Sequence, residues 1–436
     1  MRQMKLGLFI SAGGHHIAGW RHPDSYPFGF DIKNYVAVAE AAERACFDLV
    51  FLADVYSLTP EGKRQDHMRL EPTTTLSALA MVTNRIGLIG TATTTYNEPF
   101  NVARKFASLD HISHGRSGWN IVTSNSPLEA YNFGFDAHPN AEKRYEIANE
   151  FVEVVRGLWD SWEEGAVPID KTQGVFFDPE KLHVLNHDGE HFRVRGPLTI
   201  PRSPQGQPVL VQAGSSEDGR ALAASVAEVI FTIQRDLTDG QAFYADIKKR
   251  VIARGRNPDH VVIMPGVVPI VGRTRQEAID KYESLQALIH PEAGLKALSR
   301  AMGTDLMQVD VEGPLPDIDP SKIPQSRGFA IIEEARRNNM TVRQIYERLV
   351  ASKGHRMLIG TAVDVADGLH EWFASQAADG FTIMPAEMQG GTKDFAELVI
   401  PELRHRGLFR SSYEGDTLRE HLGLPVPPHH APVPMQ

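Results

Sequence analysis

Cysteine is almost missing from this sequence: Cys46 is the only one in 436 residues. No disulfide can form within the chain, which fits a reducing cytosol. The surrounding stretch AEAAERACFDLVF is Ala-rich and helical in pattern, so Cys46 reads as a buried structural thiol rather than a nucleophile. Long hydrophobic runs are also missing. The first apolar stretch, MRQMKLGLFISAGGHH, is too short to cross a bilayer and has no signal-peptide core followed by a cleavage site. A cytoplasmic protein with no membrane partner is expected. Basic charge is scarce: 45 Lys and Arg face 55 Asp and Glu, for a formal charge of -10. With no basic stripe, no nucleic-acid partner is expected. No G-x-G-x-x-G follows a strand and no G-x-x-x-x-G-K-[ST] occurs, which disfavours a Rossmann dehydrogenase or a P-loop ATPase. HExxH is absent, and none of the 18 histidines shows compact ligand spacing, so no metal site is expected. The lack of paired carboxylates and of a nucleophile elbow also weakens a barrel hydrolase.

What is present is ordinary globular composition, 42% hydrophobic and 23% charged, arranged as short apolar runs alternating with amphipathic helical patterns. Strands are predicted over 5–10, 49–53, 86–92, 118–123, 208–213, 228–233, 261–271 and 380–385. Helices are predicted over 31–45, 72–83, 99–112, 141–160, 217–226, 239–254, 274–288 and 363–377. Asp31 is a plausible N-cap, and Pro72 and Pro99 sit at favoured first-turn positions. Eight βα units favour a (β/α)8 TIM barrel, with a doubly wound open sheet as the competing architecture. Two stretches break the rhythm and read as insertions in a single domain spanning 1–436. One is 162–207, with a β-hairpin turning at Asp188-Gly189. The other is 290–355, Pro-rich and then helical, a candidate lid over a site. Residues 424–436, LPVPPHHAPVPMQ, read as a Pro-rich extended arm.

The chemistry-bearing residues fall at predicted strand C-termini, where barrel enzymes keep their sites. The loop GGHHIAGWRHP at 13–23 supplies His15, His16 and Trp20 beside glycines that allow close approach to a ligand. Its plainer reading is a surface loop. Asp54 ends the second strand, where it either meets a ligand ring or caps the next turn. Thr91, Thr93, Thr94, Thr95 and Tyr96 cluster after the third strand, partly as simple β propensity. Asn120, Thr123 and Ser124 end the fourth; an asparagine offers both donor and acceptor to a polar ring edge, or is a satisfied core amide. AGSSEDGR at 213–220 joins a strand to a helix N-terminus and suits an anion such as a phosphate. Barrel phosphate sites more often follow the seventh and eighth strands.

Several long segments carry a further signal: HHIAGWRHP at 15–23, FLAD at 51–54, GTATTTYNEPFNVARKFASLDHIS at 90–113, GRSGWNIVTS at 115–124, NFGFD at 132–136, HFRVRGPLTIPRSPQGQPVLVQAGSSEDGR at 191–220 and GTAVDVADGL at 360–369. Together they resemble the bacterial-luciferase-like monooxygenases, specifically the subgroup of nitrilotriacetate monooxygenase component A, EDTA monooxygenase and dibenzothiophene-sulfone monooxygenase. The resemblance covers nearly the whole chain and does not single out one substrate. It implies a barrel that binds reduced FMN delivered by a separate NAD(P)H:FMN reductase. It also implies use of O2 on a small organic substrate (an amine, an aminopolycarboxylate or a sulfur compound) and a homodimer or homotetramer. Carried over by position, Asp54, Thr93 and Tyr145 line the flavin site, Asn120 lies beside the ring, and Ser215 and Ser216 hold the phosphate. Thr91 and Thr123 complete the expected cofactor contacts; His15, Trp20 and Tyr96 are the expected substrate contacts, and His16 the catalytic candidate. The family often has a histidine four residues before the tyrosine of its Arg-Tyr pair, here Arg144-Tyr145; this chain has Ala141 there. Two rivals stand beside this reading: a deazaflavin-dependent oxidoreductase on the same fold, and a flavin-binding protein without turnover.

Overall fold

The computed structural model describes residues 2–25, 29–59, 68–319, 321, 323 and 326–430. Eleven strands occur among them: β1 Lys5–Phe9, β2 Leu49–Leu52, β3 Gly87–Thr93, β4 Ser117–Val122, β5 His187–Asp188, β6 Arg193–Val194, β7 Val209–Gln212, β8 Val229–Thr232, β9 Val262–Val271, β10 Arg356–Gly360 and β11 Gly380–Ile383. The helices of the first half are α1 Ile32–Arg44, α2 Pro72–Ala80, α3 Pro99–Ile112, α4 Ala141–Trp159, α5 Glu217–Val226 and α6 Leu237–Ala253. Then follow α7 Arg275–Ala287, α8 Pro291–Met302, α9 Ser326–Arg337, α10 Val342–Ser352, α11 Ala362–Ala374, α12 Met388–Asp394, α13 Ile400–His405 and α14 Leu418–Leu422.

Eight parallel strands close a ring in the order β1, β2, β3, β4, β7, β8, β9, β11 and back to β1. The open sheet is thereby excluded. All eight strands expected from the sequence lie in this ring. A ninth, β10, pairs in parallel with the far half of β9, from Arg356 opposite Val267 to Gly360 opposite Val271. The ten-residue β9 therefore forks: Val262–Pro265 pair with β8, Gly266 and Val267 with β11, and Val267–Val271 with β10.

Period-two alternation sends Leu49, Phe51, Ile89, Val209, Val211, Val229, Val262 and Met264 into the barrel, where they form one buried cluster. Its lower end is plugged by Leu418 and Leu422 of α14 and by Leu424. Gly87 makes room for that plug, since a Cβ there would lie 2.3 Å from Leu418 Cδ1. The helices pack outside, with Pro72 and Pro99 in their first turns and Asp31 accepting from the Lys33 N–H as N-cap.

The hairpin of the first insertion turns later than the sequence suggested. Asp188 is the last residue of β5, and the reversal spans Gly189–Phe192, closed by the Gly189 N–H to the Phe192 carbonyl at 2.9 Å. The cause is Glu150 of α4. Its carboxylate accepts from the N–H groups of His191 and Phe192 and from His187 Nε2, which pins a wider turn. In the second insertion α8 and α10 share a core of Leu295, Leu298, Met302, Ile345 and Tyr346, which reaches the barrel loops at Ile17 and Ala18. The expected C-terminal arm has no regular secondary structure over 424–430 and is laid along Asp160 and Arg202, through His429 Nε2 to the Asp160 carbonyl and Arg202 to the Pro427 carbonyl. Its last six residues lie outside the described residues. Among the described residues no helix is long and apolar enough to cross a membrane.

Candidate functional site

The C-terminal ends of the strands meet over an aromatic floor. Phe9, Phe51 and Phe231 contact one another there, with ring centroids 4.7 Å apart for Phe9 and Phe51 and 5.8 Å for Phe51 and Phe231. Such a floor is flat and apolar, and it excludes water from whatever rests on it.

A polar wall rises on the β3–β4 side. Register places Thr91 opposite Asn120, both inward-facing. Asn120 Nδ2 donates to Thr91 Oγ1 at 2.8 Å, while Asn120 Oδ1 is buried with no partner in a side chain only 2% exposed. An unmatched buried acceptor is costly, so this oxygen marks a place for a donor from a ligand. One turn further up, Thr93 Oγ1 accepts from the Ser124 hydroxyl and the Thr95 N–H. Thr123 contributes its carbonyl, which accepts from Thr95 Oγ1 at 2.7 Å. Ser124 holds a left-handed backbone, φ 54, that turns the chain off the end of β4. Asp54 stands beyond β2 with Oδ1 accepting from the Val55 N–H; burial pushes its carboxyl up to about 6.

The loop between β7 and α5 forms a cradle on the next side. Ser216 is the N-cap of α5, accepting from the Gly219 N–H at 3.1 Å, and Tyr145 of α4 places its hydroxyl 3.4 Å from Ser216 Oγ. Gly214 and Gly219 pack backbone to backbone: a Cβ on Gly214 would come 2.8 Å from Gly219 Cα and 3.2 Å from the Tyr145 hydroxyl. Ser215 and Ser216 are exposed at the mouth of this cradle. The acidic first turn of α5 opposes an anion, but Glu217 is held by two bonds from Arg250, at 2.6 and 3.0 Å. An N-terminus with two serines, a tyrosine hydroxyl and no Cβ in the way can hold a phosphate.

The histidine pair lies on the β1 side and is buried. His15 Nε2 bonds to the Phe9 carbonyl at 3.2 Å, and burial holds its pKa well below the usual value. His16 Nδ1 accepts from the Ala18 N–H and Nε2 donates to Gln286 Oε1 at 2.9 Å; burial lowers its pKa to about 4. Gln286 in turn donates to the Tyr282 hydroxyl. His16 is thus a neutral ring with both nitrogens engaged.

Not every expected residue joins this group. Trp20 is 42% exposed and lies beside Leu288 and His290 at the second insertion rather than at the polar wall. Tyr96 packs on Phe133 (centroids 4.8 Å apart) and bonds to His138 Nδ1 at 2.6 Å. Arg144 donates to His138 Nε2, which fixes the proton of that ring on Nδ1. Ala141 opens α4 after the N-cap Asn140 and brings no ring to the site. Three residues at the mouth escaped the sequence reading. Gln212, buried at the end of β7, holds the Gly214 N–H at 2.7 Å. His355 leans on Phe231 with centroids 5.5 Å apart, and Arg235 sits in the loop after β8. Gln212 stood in the predicted strand and could have been found by asking which strand-end side chains face inward. His355 and Arg235 carried no local signal.

Comparison with known proteins fits this geometry. Residues 4–379 match the luciferase-like monooxygenase family. The chain is 49% identical to N-acetyl-S-(2-succino)cysteine monooxygenase of Bacillus subtilis (strain 168), covering 98% of each chain. It is 48% identical to nitrilotriacetate monooxygenase component A of Aminobacter aminovorans, covering 99% of each. Among solved structures, a riboflavin lyase crystallised with modified FMN and riboflavin superposes with a TM-score of 0.83 at 33% identity, covering 97% of this chain and 96% of that one. This protein is a member of the luciferase-like monooxygenase family.

Proposed function

We propose that the protein is the oxygenase component of a two-component flavin monooxygenase. In this reading it takes reduced FMN from a separate NAD(P)H:FMN reductase and uses O2 to oxidise a small organic compound: an amine, an aminopolycarboxylate or a sulfur compound. The observation that carries it is the unpartnered, buried Asn120 Oδ1, facing the same barrel mouth as the serine cradle at α5. Reduced FMN, when bound, supplies the electrons and the atom at which O2 is activated.

The chain's own residues do the rest. Asn120 accepts from an N–H of the ring, and Thr91 and Thr93 hold that wall rigid through their bonds to Asn120 and Ser124. Asp54 is an acceptor on the β2 side once ionised, above about pH 6. Ser215, Ser216 and Tyr145 fix the phosphate. The aromatic floor and the second insertion exclude water from the reacting face, which keeps oxidation coupled to the substrate. His15 and His16, neutral at pH 7, shape the β1 edge without adding charge; His16 acts through Gln286 and Tyr282.

Oxygen uptake with FMN, NADH, a flavin reductase and a panel of amines, sulfones and aminopolycarboxylates tests this reading. Substrate-dependent O2 consumption is expected. Turnover with a reduced deazaflavin and no O2 uptake would instead assign a hydride transferase.

A further inference from the structure

Asp110, in the last turn of α3, is a fully buried carboxylate at the end of the barrel opposite the mouth, next to Ser117 at the start of β4. Two bonds fall on one of its oxygens: the Ser117 N–H at 3.0 Å and Gln205 Nε2 at 2.7 Å both donate to Oδ1. Oδ2 is buried with no partner. Two oxygens on adjacent side chains are in the same state, Gln205 Oε1 and Ser203 Oγ. The Ser203 hydroxyl is near enough to favour the ionised carboxylate yet makes no bond of ordinary length. Gln205 is fully buried and Ser203 is 8% exposed. Both stand in one tight turn of the first insertion, closed by the Gly206 N–H to the Ser203 carbonyl at 2.8 Å. The C-terminal arm lies over that turn: a Cβ on Gly206 would come 2.9 Å from Val426 Cγ1.

An ionised carboxylate taken fully out of water needs a compensating charge as well as hydrogen bonds. The neighbouring guanidinium does not supply it. Arg116 donates to the carbonyls of Ala80, Thr83, Ile86 and Ser113 and to Thr83 Oγ1, and not to Asp110. The groups that most favour the charged form of Asp110 are hydrogen-bond donors, while burial pushes its carboxyl up. A proton on Oδ2 would cancel the charge but serve only one of the three oxygens. A bound water would bring no charge. A cation supplies the charge and answers all three acceptors. We propose that Asp110 Oδ2, Gln205 Oε1 and Ser203 Oγ hold a monovalent metal cation, sodium or potassium. A carboxylate, an amide oxygen and a hydroxyl are hard ligands, and one negative charge matches one positive charge. The ion ties α3, β4 and the first insertion together at the plugged end of the barrel, where it acts on stability and not on chemistry at the mouth. No histidine or cysteine belongs to this site, so no ligand spacing in the sequence announces it. The inference is independent of the flavin reading, which stands or falls separately.

The test uses the full chain dialysed into choline chloride. NaCl or KCl replaces the choline salt at constant ionic strength while the melting temperature is followed. A cation held only by the folded chain raises that temperature with the logarithm of its concentration, and choline leaves it flat. Sodium-23 line broadening gives the binding directly: the parent is expected to show a saturable component that KCl displaces. Asp110→Asn is expected to abolish both responses. Ser203→Ala keeps the carboxylate and its two bonds, and is expected to weaken the cation by about tenfold. If Asp110→Asn does not fold, Ser203→Ala decides the matter alone. Identical melting curves in choline, sodium and potassium overturn the proposal and leave water or a proton to serve the three oxygens. A cation response undiminished in the variants overturns it too, because the ion would then lie elsewhere. A response to calcium or magnesium without one to sodium or potassium overturns the monovalent assignment.

Discussion

At the scale of single residues, the decisive group is Asn120. A buried carbonyl oxygen with no partner costs a folded chain about 1–3 kcal/mol, and Asn120 Oδ1 is in that state. Asn120→Ala should therefore weaken FMN about tenfold while leaving thermal stability nearly unchanged, because the orphaned acceptor leaves with the side chain. Flavin fluorescence titration beside a melting curve checks both halves. Asp54 gives a pH signature. Its carboxyl is raised from 3.8 to about 6 by burial, so it contributes stability that is full below about 4 and lost as pH rises through 6. In the same window it becomes a charged acceptor. FMN affinity should then show an inflection near pH 6 that vanishes in Asp54→Asn; identical pH profiles for parent and variant would remove Asp54 from the site. His16→Ala should cut turnover by loosening the Gln286–Tyr282 chain. Parent-like turnover in that variant ends any role for His16.

At the scale of elements, one substitution separates the capping of α5 from the phosphate binding proposed for its N-terminus. Ser216→Ala removes an N-cap, worth about 1 kcal/mol of stability, and, in the proposed reading, a donor to the FMN phosphate. Affinity for FMN should fall while affinity for riboflavin, which has no phosphate, stays put. A matched fall in both would mean that the serine only supports the helix. The plug beneath the barrel depends on α14. Leu418 is fully buried there, and Leu418→Ala should cost about 2–5 kcal/mol in urea unfolding. Neither α14 nor β10 was legible in the sequence. LREHL is too short to show helical periodicity, and RMLIG follows a helical insertion with no turn signal except Gly354. The eight barrel strands were legible because buried parallel strands read as near-continuous apolar runs. The hairpin was legible, but its turn was not, since Glu150, which sets it, is 39 residues from Gly189 in sequence.

At the scale of the whole molecule, buried neutral histidines should make the fold sensitive to acid. Burial lowers His16 and His421 to about 4 and His15 well below its usual value. A histidine depressed in the folded state stabilises above its unfolded pKa of 6.5 and loses that contribution as pH falls toward 4. Urea midpoints should therefore drop between pH 7 and pH 4.5. The site itself was half legible. Asn120 and Ser216 lie at the mouth, as their places after predicted strands implied, and Tyr145, expected only from the family resemblance, reaches Ser216 from α4. Trp20 and Tyr96 sit apart because their loops fold back onto the second insertion and onto Phe133, contacts that only tertiary structure creates. The account as a whole stands on one measurement, an anaerobic titration of the full chain with reduced FMN and with reduced riboflavin. It predicts one saturable site per chain for FMN and binding at least about tenfold weaker for riboflavin. Absence of saturable FMN binding, or equal affinity for the two flavins, would contradict it.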